Sequence, residues 1–154
     1  MHAAIASSPK GPIFYWDVDG AVGRNGVNKF DDVMFVQWCF YKLGKWSGQE
    51  FGTELRAALG KLSISGECSG RDGDSLVESI KALQRYMNLL IDGRVSPVTT
   101  GGTYIDGGGR STFLIIYPLN AVLQQMHPAQ YPRIDLMPEF VWRIKDKATA
   151  PFIW

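Results

Sequence analysis

Two segments of the chain repeat one arrangement of apolar and polar positions. In Val33-Met34-Phe35-Val36-Gln37 and in Ile80-Lys81-Ala82-Leu83-Gln84, an apolar residue is followed by two variable positions, a second apolar residue and glutamine. On a helix the glutamine falls at the margin of the apolar stripe, where its amide can bond loop backbone. Both segments sit inside longer helical patterns. Asp31 is a suitable N-cap for a helix running to about Leu43, with Val33, Val36, Phe40 and Leu43 on one face. The strongest pattern covers Ser75 to Leu89: Ser75 and Glu78 make a capping box, and Leu76, Ile80, Leu83 and Met87 recur at helical spacing.

Between them, Gln49 to Lys61 predicts an amphipathic helix with Phe51, Leu55, Ala58 and Leu59 inward. Residues 1 to 12 are rich in Ala, Ser and Pro and predict a flexible N-terminal arm, while the short apolar run Ile13-Phe14-Tyr15-Trp16 fits a strand or an extended packing segment equally. Thr99 to Arg110 holds five glycines in twelve residues and predicts the most flexible loop. A further helix over Thr112 to Met126 is kinked at Pro118 or begins near it, and a last one is expected over Pro138 to Lys145. The sum is an all-α domain, a compact helical bundle with long Gly-rich loops: an arm (1–12), a core (13–97) and a C-terminal helical extension packed on that core (98–154).

A chain of 154 residues, 45% apolar and 20% charged, lies in the globular range. Its net charge of +1, with Lys and Arg scattered, asks for neither nucleic acid nor an anionic membrane. No run approaches bilayer length, and Met1 to Lys10 has no secretory signal pattern, so a cytoplasmic protein is expected as synthesised, reaching the periplasm or exterior only by a route that reads no such signal. Cys39 and Cys68 have no metal spacing and are expected as reduced thiols, although a pair remains open.

Val22-Gly23, Asn28, Asp32-Val33, Val36-Gln37, Gly70, Gly73, Ile80, Leu83-Gln84 and Asp92-Gly93-Arg94-Val95-Ser96-Pro97 together resemble the peptidoglycan-binding-like domain, a small helical module that anchors bacterial cell-wall enzymes. The likeness covers roughly residues 22 to 97, and Leu119-Asn120 through Pro138 resembles the tail of a subgroup associated with type VI secretion. Residues 49–61 are an insertion relative to the simplest modules, and Ser69-Gly70 and Leu76 stand where the family usually has Asp-Gly and Thr. The resemblance implies a non-catalytic wall-binding module that positions or carries a toxin or hydrolase. The same fold serving as an adaptor within a type VI secretion cluster is the alternative, and a small hydrolase is the second. Expected partners are therefore peptidoglycan or a protein of a secretion or wall-hydrolase system.

Peptidoglycan offers sugar faces, amides and carboxylates, so its site needs aromatic plates, hydrogen-bonding amides or carboxylates and a cation. Tyr86, Asp92 and Arg94 cluster at the end of the second signature helix, with Asn28 and Trp16 brought near by the first loop. Each also fits a structural role: Asp92-Gly93 a turn, Arg94 a partner of Asp92, Tyr86 half-buried core. Trp38, Trp142 and Trp154 are candidates for a partner surface.

Three motifs imitate other chemistry. Asp17-Val18-Asp19-Gly20 after an apolar run is similar to the first motif of haloacid dehalogenase-like phosphatases, but the parallel α/β alternation that chemistry needs does not follow. Gly73-Asp74-Ser75-Leu76 matches the nucleophile block of a lipase and esterase family, yet neither His2 nor His127 has the spacing of a base. The Asp17 to Asn28 loop lacks the ligand set of a calcium hand. No catalytic residue, metal or cofactor is expected.

Overall fold

The helix carrying the first glutamine signature, α1 (Phe30–Lys45), is buried on nearly every side. Val33, Val36, Phe40 and Leu43 face inward as the spacing predicts, but Met34, Phe35, Trp38 and Cys39 are buried as well. A helix apolar all round needs neighbours all round. Here they are α2 (Thr53–Gly60), α4 (Ile116–Met126), the two-residue strand β3 (Val22–Gly23) and a 3-10 turn at Trp142–Ile144. The computed structural model describes residues 1–8, 11–48, 50–98 and 115–148. The expected loop at Thr99–Arg110 and Trp154 lie outside them.

The all-α expectation is overturned. Among the described residues the chain is mixed α/β, with five helices and two small antiparallel sheets. The expected arm is instead strand β1 (His2–Ser8), paired with β2 (Gly11–Asp17) in a register running from His2 opposite Asp17 to Ser8 opposite Gly11. At Trp16, β2 is also met by a side chain of α4. Asn120 on α4 accepts from the Trp16 N–H at 2.7 Å and donates to the Trp16 carbonyl at 2.8 Å, as a neighbouring strand would. Tyr131 and Pro132 complete this contact, the tyrosine hydroxyl donating to the Phe14 carbonyl and the Trp16 indole N–H to the Pro132 carbonyl. The C-terminal extension thus packs on the hairpin as well as on α1.

The second sheet pairs β3 with β4 (Arg94–Val95), Val22 opposite Val95 and Gly23 opposite Arg94. It ties the loop before α1 to the loop after α3 (Ser75–Tyr86). Leu76, Ile80 and Leu83 of α3 are buried as predicted, each burial favouring the fold by roughly 1.5–3 kcal/mol. α2 packs against both α1 and α3, so the two signature helices meet mainly through it and share one core.

Local rules shift the boundaries. α3 is capped by Asp74, whose carboxylate accepts from Leu76 and Val77 N–H, while Ser75 is its first helical residue. α1 starts after Lys29 rather than after Asp31, and Asp32 is freed to accept from the Asp19 and Gly20 N–H groups. α4 begins at Ile116, which puts Pro118 in its first turn, where a missing N–H is harmless. The helix expected over Pro138–Lys145 is a 3-10 turn leading into the single turn α5 (Lys145–Ala148). Cys39 and Cys68 are free thiols.

Candidate functional site

Three loops converge beside α3, and their polar groups are spent on one another. The Gln37 carboxamide oxygen accepts from Ser65 and Gly66 N–H at 2.9 and 2.8 Å, and its NH2 donates to the Glu67 carbonyl at 3.0 Å. Gln84 accepts from Gly93 N–H at 2.8 Å and donates to Asp92 at 2.6 Å. Arg24 N–H donates to the Gly93 carbonyl and Asn25 N–H to the Gly70 carbonyl. Both glutamines therefore set loop backbone, as their spacing predicts.

This network decides the fate of the residues expected to bind ligand. Asn28 accepts from Gly23 N–H and donates to the Gly23 and Gly26 carbonyls, which uses both ends of its amide to close the first loop. Asp92 is engaged by Gln84 and by Arg94 N–H, so it shapes the turn. Trp16 is fully buried under Pro132. These three act on structure. Arg94 is exposed on β4, beside the Asn28 loop through its pairing with Gly23. Tyr86 is exposed on the other side, where its ring meets Phe51 edge-on at 5.4 Å. The five residues do not form one site.

Phe51, the ring Tyr86 touches, lines a groove of about 490 Å³ between the C-terminal half of α1 and α2. Its walls hold Tyr41, Trp46 and Phe51, five residues apart along the chain, and the cations Lys45 and Arg56. Trp46 and Phe51 are 6.1 Å apart and tilted, so Trp46, Phe51 and Tyr86 make a continuous aromatic strip. Lys45 sits 4.5 Å above the Tyr41 ring and donates to Glu139 at 3.1 Å. The hydrogen bonds that the Lys45 ammonium makes to Tyr41 and Glu139 hold it above its usual range, and those from Lys45 and Tyr41 hold the Glu139 carboxyl below its own. Arg56 has no ion-pair partner among the described residues. Phe51, Arg56, Leu59 and Gly60 of this wall come from residues 49–61, the stretch read as an insertion. Sequence reasoning assigned Phe51 to the core and passed over Lys45, Trp46 and Arg56; the five-residue aromatic spacing was the signal.

The imitated motifs are occupied otherwise. Asp17 is buried at the end of an antiparallel strand, its oxygens accepting from Val18 and Val98 N–H, and burial pushes its carboxyl up. Asp19 pairs with the Met1 ammonium and His2. Asp74 and Ser75 open α3. Among the described residues no three His, Cys, Asp or Glu side chains are grouped to hold a metal, and no helix is long and apolar enough to cross a membrane. No protein-family model, curated protein or solved structure matches the chain.

Proposed function

We propose that the chain is a non-catalytic module that binds bacterial cell-wall peptidoglycan in the groove between α1 and α2, and so places a partner toxin or hydrolase at the wall. The observation that carries this reading is the aromatic strip of Trp46, Phe51 and Tyr86 running beside Arg56, which has no ion-pair partner among the described residues. Aromatic faces stack on sugar rings, and a guanidinium donates to the oxygens of a stem peptide; peptidoglycan presents both in one polymer. The loop network supports the reading differently, because none of its hydrogen bonds uses Trp46, Phe51 or Arg56.

Co-sedimentation with purified sacculi tests it. The wild-type protein is expected in the pellet, and Trp46→Ala and Arg56→Glu are each expected to remain in the supernatant with an unchanged circular dichroism spectrum. Retention of both folded variants would overturn the assignment to this groove.

A second reading is favoured by Trp142, 77% exposed, and Leu136, 57% exposed, on the C-terminal segment. Large apolar side chains at that exposure suit a protein partner, as in an adaptor of a type VI secretion system. Absence from the sacculus pellet together with a defined complex in size-exclusion chromatography, lost on Trp142→Ala, would favour it.

A further inference from the structure

Beside the groove, α1 presents a second lysine that is almost fully buried. The Lys42 side chain is 4% exposed, and among the described residues its ammonium has two partners, the Pro138 carbonyl at 3.3 Å and the Glu139 carboxylate at 3.5 Å. An ammonium withdrawn from water needs close, charged partners, and charge-assisted bonds of this kind are normally about 2.7–2.9 Å long. Lys42 is thus held loosely. The same carboxylate also accepts from the Tyr41 hydroxyl at 3.2 Å and from Lys45 at 3.1 Å, both through one oxygen. Three donors from α1 converge on a single carboxyl group, and none makes a short bond to it.

Glu139 is itself an unusual residue to fill that place. It is half exposed, and its backbone lies in the left-handed region at φ 62°, which non-glycine residues seldom adopt. Tyr41 and Lys45 are also walls of the groove, so the carboxyl group stands where the groove meets the C-terminal segment.

Resting on the wall-binding reading, we propose that Lys42, Lys45 and the Tyr41 hydroxyl form a carboxylate subsite of the groove, filled in the free protein by Glu139 and taken over by the peptide carboxylate of a bound wall fragment. Glu139 then sets specificity. It competes with acidic fragments and leaves neutral ones unaffected, because only a second carboxylate needs the donors it holds. The aromatic strip supplies the sugar contact and is common to both kinds of ligand.

The test is calorimetric titration of the full chain with muramyl dipeptide, which carries a free carboxylate, and with its carboxyl-amidated form. Wild-type protein is expected to bind both. Glu139→Gln, an exposed and nearly isosteric change, is expected to tighten the acid by about tenfold and to leave the amide within about twofold. Lys45→Ala is expected to remove the advantage of the acid over the amide. Equal response of acid and amide to Glu139→Gln, with both still bound, overturns the subsite and leaves the groove assignment standing. Failure of wild type and Glu139→Gln alike to bind either compound overturns the wall-binding reading and the subsite with it.

Discussion

Gln37 and Gln84 perform the same operation on two different helices: each carboxamide oxygen accepts, at 2.8 Å, the N–H of a glycine with positive φ, Gly66 in one case and Gly93 in the other. Each side chain also donates back to the loop it holds, at Glu67 and at Asp92. Both Gly66 N–H and Gly93 N–H are buried, so neither has water as an alternative partner. Truncating either glutamine to alanine strands a buried backbone donor, and the expected loss is about 2–3 kcal/mol of unfolding free energy, read from urea melts. A loss under about 0.5 kcal/mol at both positions would mean the loops hold themselves.

A similar dependence on backbone lies at Gly23, where φ is 102°. A Cβ there would run into the Gly93 carbonyl oxygen and come within 2.8 Å of the Ile80 side chain. Since β3 and β4 meet at this point, Gly23→Ala is expected to cost at least ~2 kcal/mol, from strain and from a lost bond between Arg24 and Gly93. Gly60, at the end of α2 with open space around it, is the control: Gly60→Ala is expected to be neutral or slightly stabilising by the same urea melts.

Asp74 gives the protein an acid limb. Burial pushes its carboxyl up, but hydrogen bonds from Ser69, Leu76 and Val77 outweigh burial and leave it below the ordinary value of 3.8. A carboxylate depressed on folding contributes stability that is present above its unfolded value and lost as pH falls through its folded one. Stability is therefore expected to drop below pH 3.8 in wild type and to drop less steeply in Asp74→Asn, which keeps a capping oxygen without the titration. Denaturant melts at stepped pH compare the two slopes, and parallel slopes would remove Asp74 from the acid response.

Variants of the residues expected to bind ligand should separate by place. Arg94→Ala, on the loop side, is expected to leave sacculus binding unchanged. Tyr86→Ala, which removes the edge contact on Phe51, is expected to weaken it by about threefold to tenfold. Asn28→Ala and Asp92→Ala are expected to lower stability, and to lower binding only where the protein unfolds. The reverse order, with Arg94 decisive and Tyr86 silent, would place the ligand on the loops.

What the pattern of apolar residues carried was the helical part. Val33, Val36, Phe40, Leu43, Leu76, Ile80 and Leu83 are all buried where 3.6-residue periodicity puts them. The role of the two glutamines followed from the same geometry, because it depends only on the edge of a stripe. The β1–β2 hairpin was not legible, since Ile13–Trp16 is too short to show a period and its partner strand Ala3-Ala4-Ile5 has weak strand character. What stabilises that hairpin is Asn120, over a hundred residues away. Trp38 lies off the stripe and reads as a surface aromatic, yet it is fully buried because Phe140 covers it at 4.8 Å.

The candidate site was hidden for the same reason. Lys45, Trp46 and Arg56 are unremarkable in sequence, and become a groove only when α2 folds back against α1. Asn28 and Asp92 drew attention as polar residues in loops, whereas their amide and carboxylate groups are consumed in holding those loops. Tyr86 lies against Phe51, apart from the loops that hold Asn28 and Asp92.

Location of the ligand is the central claim, and amide shift mapping with a soluble peptidoglycan fragment reads it residue by residue. Titrating muramyl dipeptide into isotopically labelled protein is expected to move the resonances of residues 40–46 and 51–60 and those around Tyr86 and Glu139, leaving 20–29, 69–73 and 92–94 in place. Shifts confined to those three loops, or no shifts at millimolar fragment, would contradict it.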